Sequence, residues 1–477
     1  MSRLQGKLSR RKQRTDNEGQ CEAQIDEPGP PLETPVSPND KAVEVAGSKS
    51  DIIAQLQRRM EKIQQQPVKS FGIKSRKPRG DSDWAAPEDV PVREIPNKAK
   101  APAGSLTIQR EALLPGSVLD TEMGEIWQHR KTYPGYFHGN ASVNRFLSVG
   151  PAMGVFAKDN RLSALSPEGA LFIDTETTGL SSGAGTLAFL IGCGFFEDGV
   201  FVVEQYFCRE PAEEPAQLAA LANRLASATY LVSFNGKAFD IPLINTRFIL
   251  NRTKNPAYNL PHLDLLHVCR RIFKRRLNDR SLQNLERVLL GFAREGDIPG
   301  ALIPEAYRDY LFGHGEDRIA AILEHNQLDI VALAALGGML DEIYNDPRAV
   351  AHAADHLGLA KEAFGAGETS IGDWHLNAAD DEGMADDRKV ALHMKAREML
   401  RRKLYSQAAT LYHDILEMDE ADGHAHLQLA KLYEHRLKDY DRALHHAGAV
   451  TDLEGDDATE HRVKRIEKKR SKNAGRK

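Results

Sequence analysis

Residues 171–180, LFIDTETTGL, decide the fold of this chain. The segment predicts an apolar strand that ends in two carboxylates two positions apart and then enters a turn. Side chains at positions i and i+2 of a strand point to the same face of the sheet. Asp174 and Glu176 are therefore expected side by side at the end of a buried strand, although like charges repel. Such an arrangement calls for a compensating partner.

Length and composition limit the class of protein. The chain has 477 residues, enough for two or three domains, and 41% hydrophobic and 27% charged residues are ordinary for a soluble protein. A net charge of −5 does not favour nucleic-acid binding by the whole surface, but it leaves room for a local basic patch. Four scattered cysteines argue against a zinc site or a disulfide framework. With no signal peptide and no apolar run long enough to span a membrane, we expect a cytoplasmic protein without membrane contact.

Composition shifts divide the chain into regions. Residues 51–66, DIIAQLQRRMEKIQQQ, have helical apolar spacing, which predicts either a marginal helix or a helix that docks on a partner. The predicted regions are a largely disordered segment at 1–105, a lead-in subdomain at 106–170, an α/β domain at 171–345, a linker at 346–388, helical repeats at 389–455 and a basic disordered tail at 456–477.

Residues 171–345 alternate strand and helix patterns. Two apolar runs joined at Asp198-Gly199 predict a β-hairpin. Amphipathic helices and further apolar strands follow, which predicts a mixed sheet with helices on its faces.

Residues 389–455 contain a weak internal repeat. Ala396 and Met399 recur 34 residues later as Ala430 and Tyr433, a period typical of tetratricopeptide repeats. Two such units are few for a free-standing solenoid, so they are expected either to pack on the α/β domain or to stack with another chain. A protein partner could bind through them.

The α/β domain at 171–345 contains two further acids of interest. Asp240 comes just after an apolar strand, and Asp329 lies on a late helix. Taken alone, each is an ordinary helix cap or polar-face residue. If all four acids converge, their repulsion and desolvation are costly unless a cation binds them. Carboxylate oxygens suit Mg²⁺ or Mn²⁺, and two such ions about 4 Å apart can promote phosphodiester cleavage.

The order of these motifs resembles the DEDD superfamily of 3′-to-5′ exonucleases, which have the ribonuclease H-like fold. The motifs are Asp174-Thr175-Glu176 followed by Thr-Thr-Gly, then Asn235 through Phe239-Asp240, then His325 through Asp329. Together with C-terminal repeats, they also resemble the YprB-like bacterial proteins. The resemblance covers 171–345 well and the repeat region loosely.

The resemblance implies a role for each matching residue. It implies that the four acids bind two Mg²⁺ or Mn²⁺ ions and that the neighbouring side chains contact the substrate. The implied metal ligands are Asp174, Glu176, Asp240 and Asp329, and the implied substrate contacts are Thr177, Thr178, Gly179, Asn235 and Phe239. Asn235 either orients the substrate strand or the Asp240 loop, or is simply a turn residue.

His325 departs from the family pattern. One branch of the superfamily has Tyr four residues before the last Asp, and the other has His five before it, whereas this chain has His325 four before Asp329. Residues at i and i+4 share a helix face, so His325 could reach the site. It is interpreted either as the general base for a water or as a surface histidine.

A run of basic residues, VCRRIFKRRLNDR at 268–280, is the candidate nucleic-acid-binding surface. Such a run is either a solvated helix face or, beside a phosphodiesterase site, a contact surface for the phosphate backbone. Arg271, Lys274 and Arg275 are the candidate contacts. The leading hypothesis is thus a two-metal 3′-to-5′ exonuclease of single-stranded DNA or RNA. The alternative is a non-catalytic adaptor of the same fold that binds nucleic acid or protein.

Overall fold

The computed structural model describes residues 114–179, 185–450, 453 and 455–474. The segment predicted to be disordered at 1–105, including the helical pattern at 51–66, lies outside the described residues. The described strands are β1 Ser117–Thr121, β2 Gly124–Tyr133, β3 Phe137–His138, β4 Ala141–Ser142, β5 Ala170–Thr177, β6 Ala188–Glu197, β7 Val200–Phe207, β8 Tyr230–Ser233 and β9 His262–Asp264.

Seven of these strands form one mixed sheet in the order β1-β2-β7-β6-β5-β8-β9. In this order, each neighbouring pair among β1, β2, β7, β6 and β5 is antiparallel. Strands β5, β8 and β9 are parallel to one another. The predicted mixed sheet is confirmed. The hairpin of β6 and β7 is also confirmed, and Asp198 and Gly199 both have positive φ, 50° and 78°, as a tight hairpin turn requires.

Helices cover both faces of the sheet and then continue alone to the C-terminus. Their bounds are α1 Ala152–Ala157, α2 Glu214–Ser227, α3 Asp240–Leu250, α4 Leu265–Ile272, α5 Leu282–Leu285, α6 Ile303–Leu311, α7 Glu316–Asn345, α8 Ala353–Ala366, α9 Thr369–Glu382, α10 Ala385–Arg401, α11 Tyr405–Met418, α12 Gly423–Leu432, α13 Tyr440–Gly448 and α14 Asp456–Ala474.

Strand β5 lies between two hydrophobic cores. Phe172 belongs to one core, and its neighbours Leu171 and Ile173 belong to the other. This is the alternation that a strand buried on both faces requires, because successive side chains point to opposite sides. Helix α7 contributes to both cores. It is long and apolar enough to cross a membrane, but 72% of its most apolar window is buried inside the protein, as in a core helix.

The predicted boundary at residue 170 does not separate two structural units. Strands β1 and β2, expected in a lead-in subdomain, extend the same sheet through pairing of β2 with β7. Ile126 and Trp127 of β2 are buried in the same core as Leu171. The lead-in subdomain predicted to pack on the α/β domain thus shares its sheet, a strand pairing across the sequence that a local pattern does not show.

Two segments expected to lack structure are helical. The predicted linker at 346–388 contains α8, α9 and the start of α10, and the predicted disordered tail contains α14. Leu357, Leu376 and Ala379 of the former linker are buried, and Ile466 anchors α14 in the core of the last hairpins. The acidic and basic runs in these segments lie mostly on exposed or half-exposed helix positions. Each helix buries only a few apolar residues, which are hard to recognise among so many charged ones.

The C-terminal region therefore has one more helical hairpin than predicted. The hairpins are α8–α9, α10–α11 and α12–α13, and α14 packs on α13. Helix α8 also packs on α4 of the α/β domain. There Gly358 lies so close to α4 that an added Cβ would come within 2.3 Å of the Ile272 carbonyl oxygen. Helix α8 lies before the repeats predicted at 389–455, so the packing of those repeats on the α/β domain or on another chain stays a prediction.

Candidate active site

The end of β5 and the middle of α7 meet at the acid cluster. Asp174 and Glu176 leave β5 beside the segment of α7 that carries His325, Asn326 and Asp329. The Nδ2 of Asn326 donates to Asp174 Oδ2 at 2.8 Å. Burial raises the pKa of Asp174 well above its ordinary value, and Asp329, Asp240 and Glu176 raise it further. The amide of Asn326 opposes this shift.

A glycine in β6 allows α7 to approach this closely. An added Cβ at Gly192 would lie 2.2 Å from Asn326 Oδ1. That oxygen instead accepts a hydrogen bond from Gln205 Nε2 of β7 at 2.8 Å. The sequence interpretation missed Asn326. The signal was present, because EHNQLD is a polar interruption in an apolar helix, and buried polar side chains need hydrogen-bond partners.

Asp240 is the first residue of α3, and a tight turn presents it to β5. Asn235 of this turn has a positive φ of 69°, as expected of a turn residue, and its backbone N–H donates to Asp264 Oδ1 at 2.8 Å. The hydroxyl of Thr175 donates to Asp240 Oδ1 at 2.5 Å. Burial raises the pKa of Asp240 to about 6, while the hydrogen bond from Thr175 lowers it. Phe239, directly before Asp240, has a half-exposed ring.

His325 points one ring nitrogen at the acids and the other at a residue that the sequence interpretation missed. Its Nδ1 lies 2.7 Å from Asp297 Oδ1. A carboxylate only accepts hydrogen bonds, so His325 carries its proton on Nδ1 and has a lone pair on Nε2 when neutral. That Nε2 lies 3.8 Å from Glu176 Oε1 and 3.6 Å from Asp329 Oδ2. His325 is therefore a buried residue of the cluster, and the surface-histidine interpretation was wrong.

Arg294 supplies an internal positive charge to the cluster. Its guanidinium is 5% exposed and contacts Asp329 Oδ1 at 2.5 Å, Glu286 Oε2 at 2.7 Å and Asp297 Oδ2 at 3.3 Å. Burial lowers the pKa of Arg294, but Asp329 and Glu286 more than offset this, and its pKa is raised. No motif marks Arg294 or Asp297 in the sequence, since both belong to the irregular loop between α5 and α6.

The cluster remains short of positive charge. Burial, followed by the charges of Asp329, Asp240 and Asp297, raises the pKa of Glu176 well above its ordinary value, and Arg294 offsets only part of this. The donor set consists of hard carboxylate oxygens, which fits Mg²⁺ or Mn²⁺. Within the described ranges, no three His, Cys, Asp or Glu side chains are already arranged to hold a metal ion. Binding by these acids therefore requires side-chain adjustment, including at the Arg294 contact with Asp329.

The Thr-Thr-Gly segment closes the loop that follows β5. Thr177 Oγ1 donates to the Gly179 carbonyl at 2.7 Å. Thr178 uses both its backbone and its hydroxyl to bind Leu187, with the Leu187 N–H donating to Oγ1 at 3.0 Å. These threonines thus have hydrogen-bond partners within the protein, and their contact with a nucleotide stays a prediction.

Two arginines of the basic run at 268–280 form ion pairs with the helical region. Arg271 forms an ion pair with Glu362 of α8 at 2.7 Å and donates to the Phe156 carbonyl. Arg275 pairs with Asp387 of α10 at 2.9 Å, and Lys274 is exposed. The two arginines thus connect the α/β domain to the helical region, and the contact of Arg271, Lys274 and Arg275 with a nucleic acid stays a prediction. Their acidic partners lie too far away in sequence for a local pattern to show them.

Comparison with known proteins agrees with the fold. Residues 171–340 match the profile of the RNase_H superfamily named RNase_H_2. A relative from Bacillus subtilis (strain 168), Uncharacterized protein YprB, is 31% identical over 278 residues, which are 57% of this chain and 67% of the relative. The chain therefore belongs to the RNase H superfamily and, within it, to the YprB-like proteins.

Proposed function

We propose that this protein is a metal-dependent nuclease that removes nucleotides from the 3′ end of single-stranded DNA or RNA. The supporting observation is the convergence of four carboxylates, at least three with raised pKa values, beside a histidine whose free nitrogen faces them. A structural role does not account for this arrangement, because the acids repel each other and are costly to bury. An RNase H superfamily fold is consistent with phosphodiester hydrolysis.

Asp174, Glu176, Asp240 and Asp329 would hold the metal ions. When bound, Mg²⁺ or Mn²⁺ makes water more acidic and stabilises negative charge on the phosphate. The chain's own residues position the other groups. Asn326 and Thr175 orient two of the carboxylates through hydrogen bonds. Asp297 fixes the His325 ring, so that Nε2 can accept the proton of the attacking water.

The proposal is tested with end-labelled single-stranded DNA and RNA in Mg²⁺ or Mn²⁺. The wild type should shorten one of these substrates stepwise from the 3′ end. Asp174→Ala should abolish cleavage, while Asp120→Ala, which removes an exposed acid of β1, should leave it unchanged. Cleavage within the strand would replace the exonuclease assignment by an endonuclease. Binding without cleavage of either substrate would favour the adaptor alternative.

The same assay tests the role of His325. His325→Ala should lower the rate of cleavage by roughly 10²- to 10⁴-fold, the range for loss of a general base, with little change in substrate binding. Near-normal turnover would remove His325 from the mechanism.

A further inference from the structure

A cleft of about 590 Å³ opens directly beside the acid cluster. Two of its lining residues, Arg294 and Asp297, are the residues that contact Asp329 and His325. A cleft of this volume is within the range of small-ligand sites. Its other lining residues are Asp279, Ser281, Gln283, Asn284, Arg287, Ala293, Gly296, Ile298 and Pro299.

Three of the charged residues that line the cleft have hydrogen-bond or ion-pair partners within the protein. Asp279 accepts from the Ser281 backbone N–H at 2.9 Å and from its hydroxyl at 3.0 Å. Asp297 accepts from His325 and from Gln283 Nε2, the latter at 2.7 Å. Arg294 is held by three carboxylates. The positive charge of Arg294 is therefore already matched by carboxylates of the protein.

Arg287 differs from the other charged residues that line the cleft. It is exposed on the helical turn after α5, and its Nη2 donates to Asn284 Oδ1 at 2.7 Å. In the part of the chain that the structure describes, no carboxylate lies within ion-pair distance of it. Asn284 is in turn fixed by donating to the Asp279 carbonyl. An uncharged amide thus orients Arg287 without neutralising it, which leaves the guanidinium able to bind an anion.

We propose that this cleft holds the nucleotide next to the scissile bond, with Arg287 on its backbone phosphate. This inference rests on the proposed nuclease function. The side chains of Ser281 and Gln283 offer hydrogen-bonding groups suited to a sugar or base, and Ile298 and Pro299 provide an apolar wall. Phosphate contacts position a strand without reading its sequence. Arg287 thereby supplies a phosphate contact beside the acid cluster, whereas Arg271 and Arg275 form ion pairs with acids of the helical region.

The test is the salt dependence of binding, measured by fluorescence anisotropy with the full chain. The probe is a labelled single-stranded oligonucleotide whose terminal phosphorothioate linkages resist hydrolysis. For single strands, the slope of log affinity against log salt falls by about 0.7 for each lost phosphate contact. Arg287→Ala should reduce the slope by about that amount and weaken binding about tenfold at low salt. Arg287→Lys should largely restore the slope, because it keeps the charge.

A matched control separates this site from general electrostatics. Arg397 is exposed on α10 of the helical region, and Arg397→Ala should leave affinity and slope unchanged. If Arg287→Ala binds and cleaves like the wild type, the cleft assignment is overturned while the nuclease function stands. If the wild type neither cleaves nor binds nucleic acid, the nuclease proposal fails and the cleft assignment fails with it.

Discussion

Replacing Asp240 by Asn should stabilise the metal-free protein. The structure gives Asp240 a pKa of about 6, against an ordinary value of 3.8, chiefly because the carboxylate is buried. One pH unit of pKa difference corresponds to about 1.4 kcal/mol, so ionising Asp240 lowers the free energy of unfolding by about 3 kcal/mol. Asp240→Asn removes that charge, and its amide oxygen can still accept the hydrogen bond from Thr175.

The sign of the pH dependence follows from the raised pKa. Between pH 4 and pH 6 the folded protein holds the Asp240 proton more tightly than the unfolded chain does, so wild-type stability falls as the pH rises. The advantage of Asp240→Asn should therefore be largest above pH 6 and vanish below pH 4. Urea denaturation in a metal chelator at pH 4 and pH 8 measures it. In saturating Mn²⁺ the wild type should be more stable than Asp240→Asn, since only the wild type keeps all four proposed metal ligands.

Asp264→Asn provides the control for this prediction. Its carboxylate accepts three backbone N–H groups, from Asn235, Lys237 and Leu266. An amide nitrogen cannot replace an accepting oxygen, so Asp264→Asn should destabilise the protein by about 1–3 kcal/mol. The reasoning is refuted if Asp240→Asn is less stable than the wild type at pH 8 without metal, or if its effect is the same at both pH values.

The remaining predictions concern packing and orientation. Gly358→Ala should destabilise the protein by about 2 kcal/mol, because the new Cβ would collide with the Ile272 carbonyl where α8 packs on α4. The control is Gly365→Ala, which adds a Cβ in open space on the same helix and should be neutral or stabilising by up to about 1 kcal/mol. Thermal unfolding of both variants checks this, and equal melting temperatures would contradict it. Asn326→Ala should lower metal-dependent cleavage about 10- to 100-fold by releasing Asp174, and a metal titration should show weaker activation. Wild-type activation by metal would contradict the orienting role.

Local patterns in the sequence predicted the parts of the fold that neighbouring residues determine. The apolar strand with alternating faces at 171–177 and the Asp198-Gly199 hairpin are of this kind, because side-chain alternation and turn conformation are set within a few residues. The four acids were recognisable because they sit at fixed positions in motifs. The structure brings them to one place around β5, although their sequence positions span 155 residues, from Asp174 to Asp329.

The partners of these acids were not predictable in the same way. Asp297 and Arg294 belong to an irregular loop, and their roles exist only because that loop packs against α7. The arginines at 271 and 276 find Glu362 and Asp355 at sequence separations of 91 and 79 residues. A basic run shows its charge but not where its counter-charges lie. Sequence reasoning therefore could not show that the protein itself supplies acids to these arginines.

The ion pairs between the α/β domain and the helical region matter for any truncation of this protein. Arg271, Arg275 and Arg276 are neutralised by Glu362, Asp387 and Asp355 of the helical region. A chain shortened to end near residue 345 would lose all three acids at once. It would present unpaired guanidinium groups that the whole protein never exposes in this form. Such a fragment would bind any polyanion through these groups. An affinity measured on it would reflect the truncation and not the intact protein.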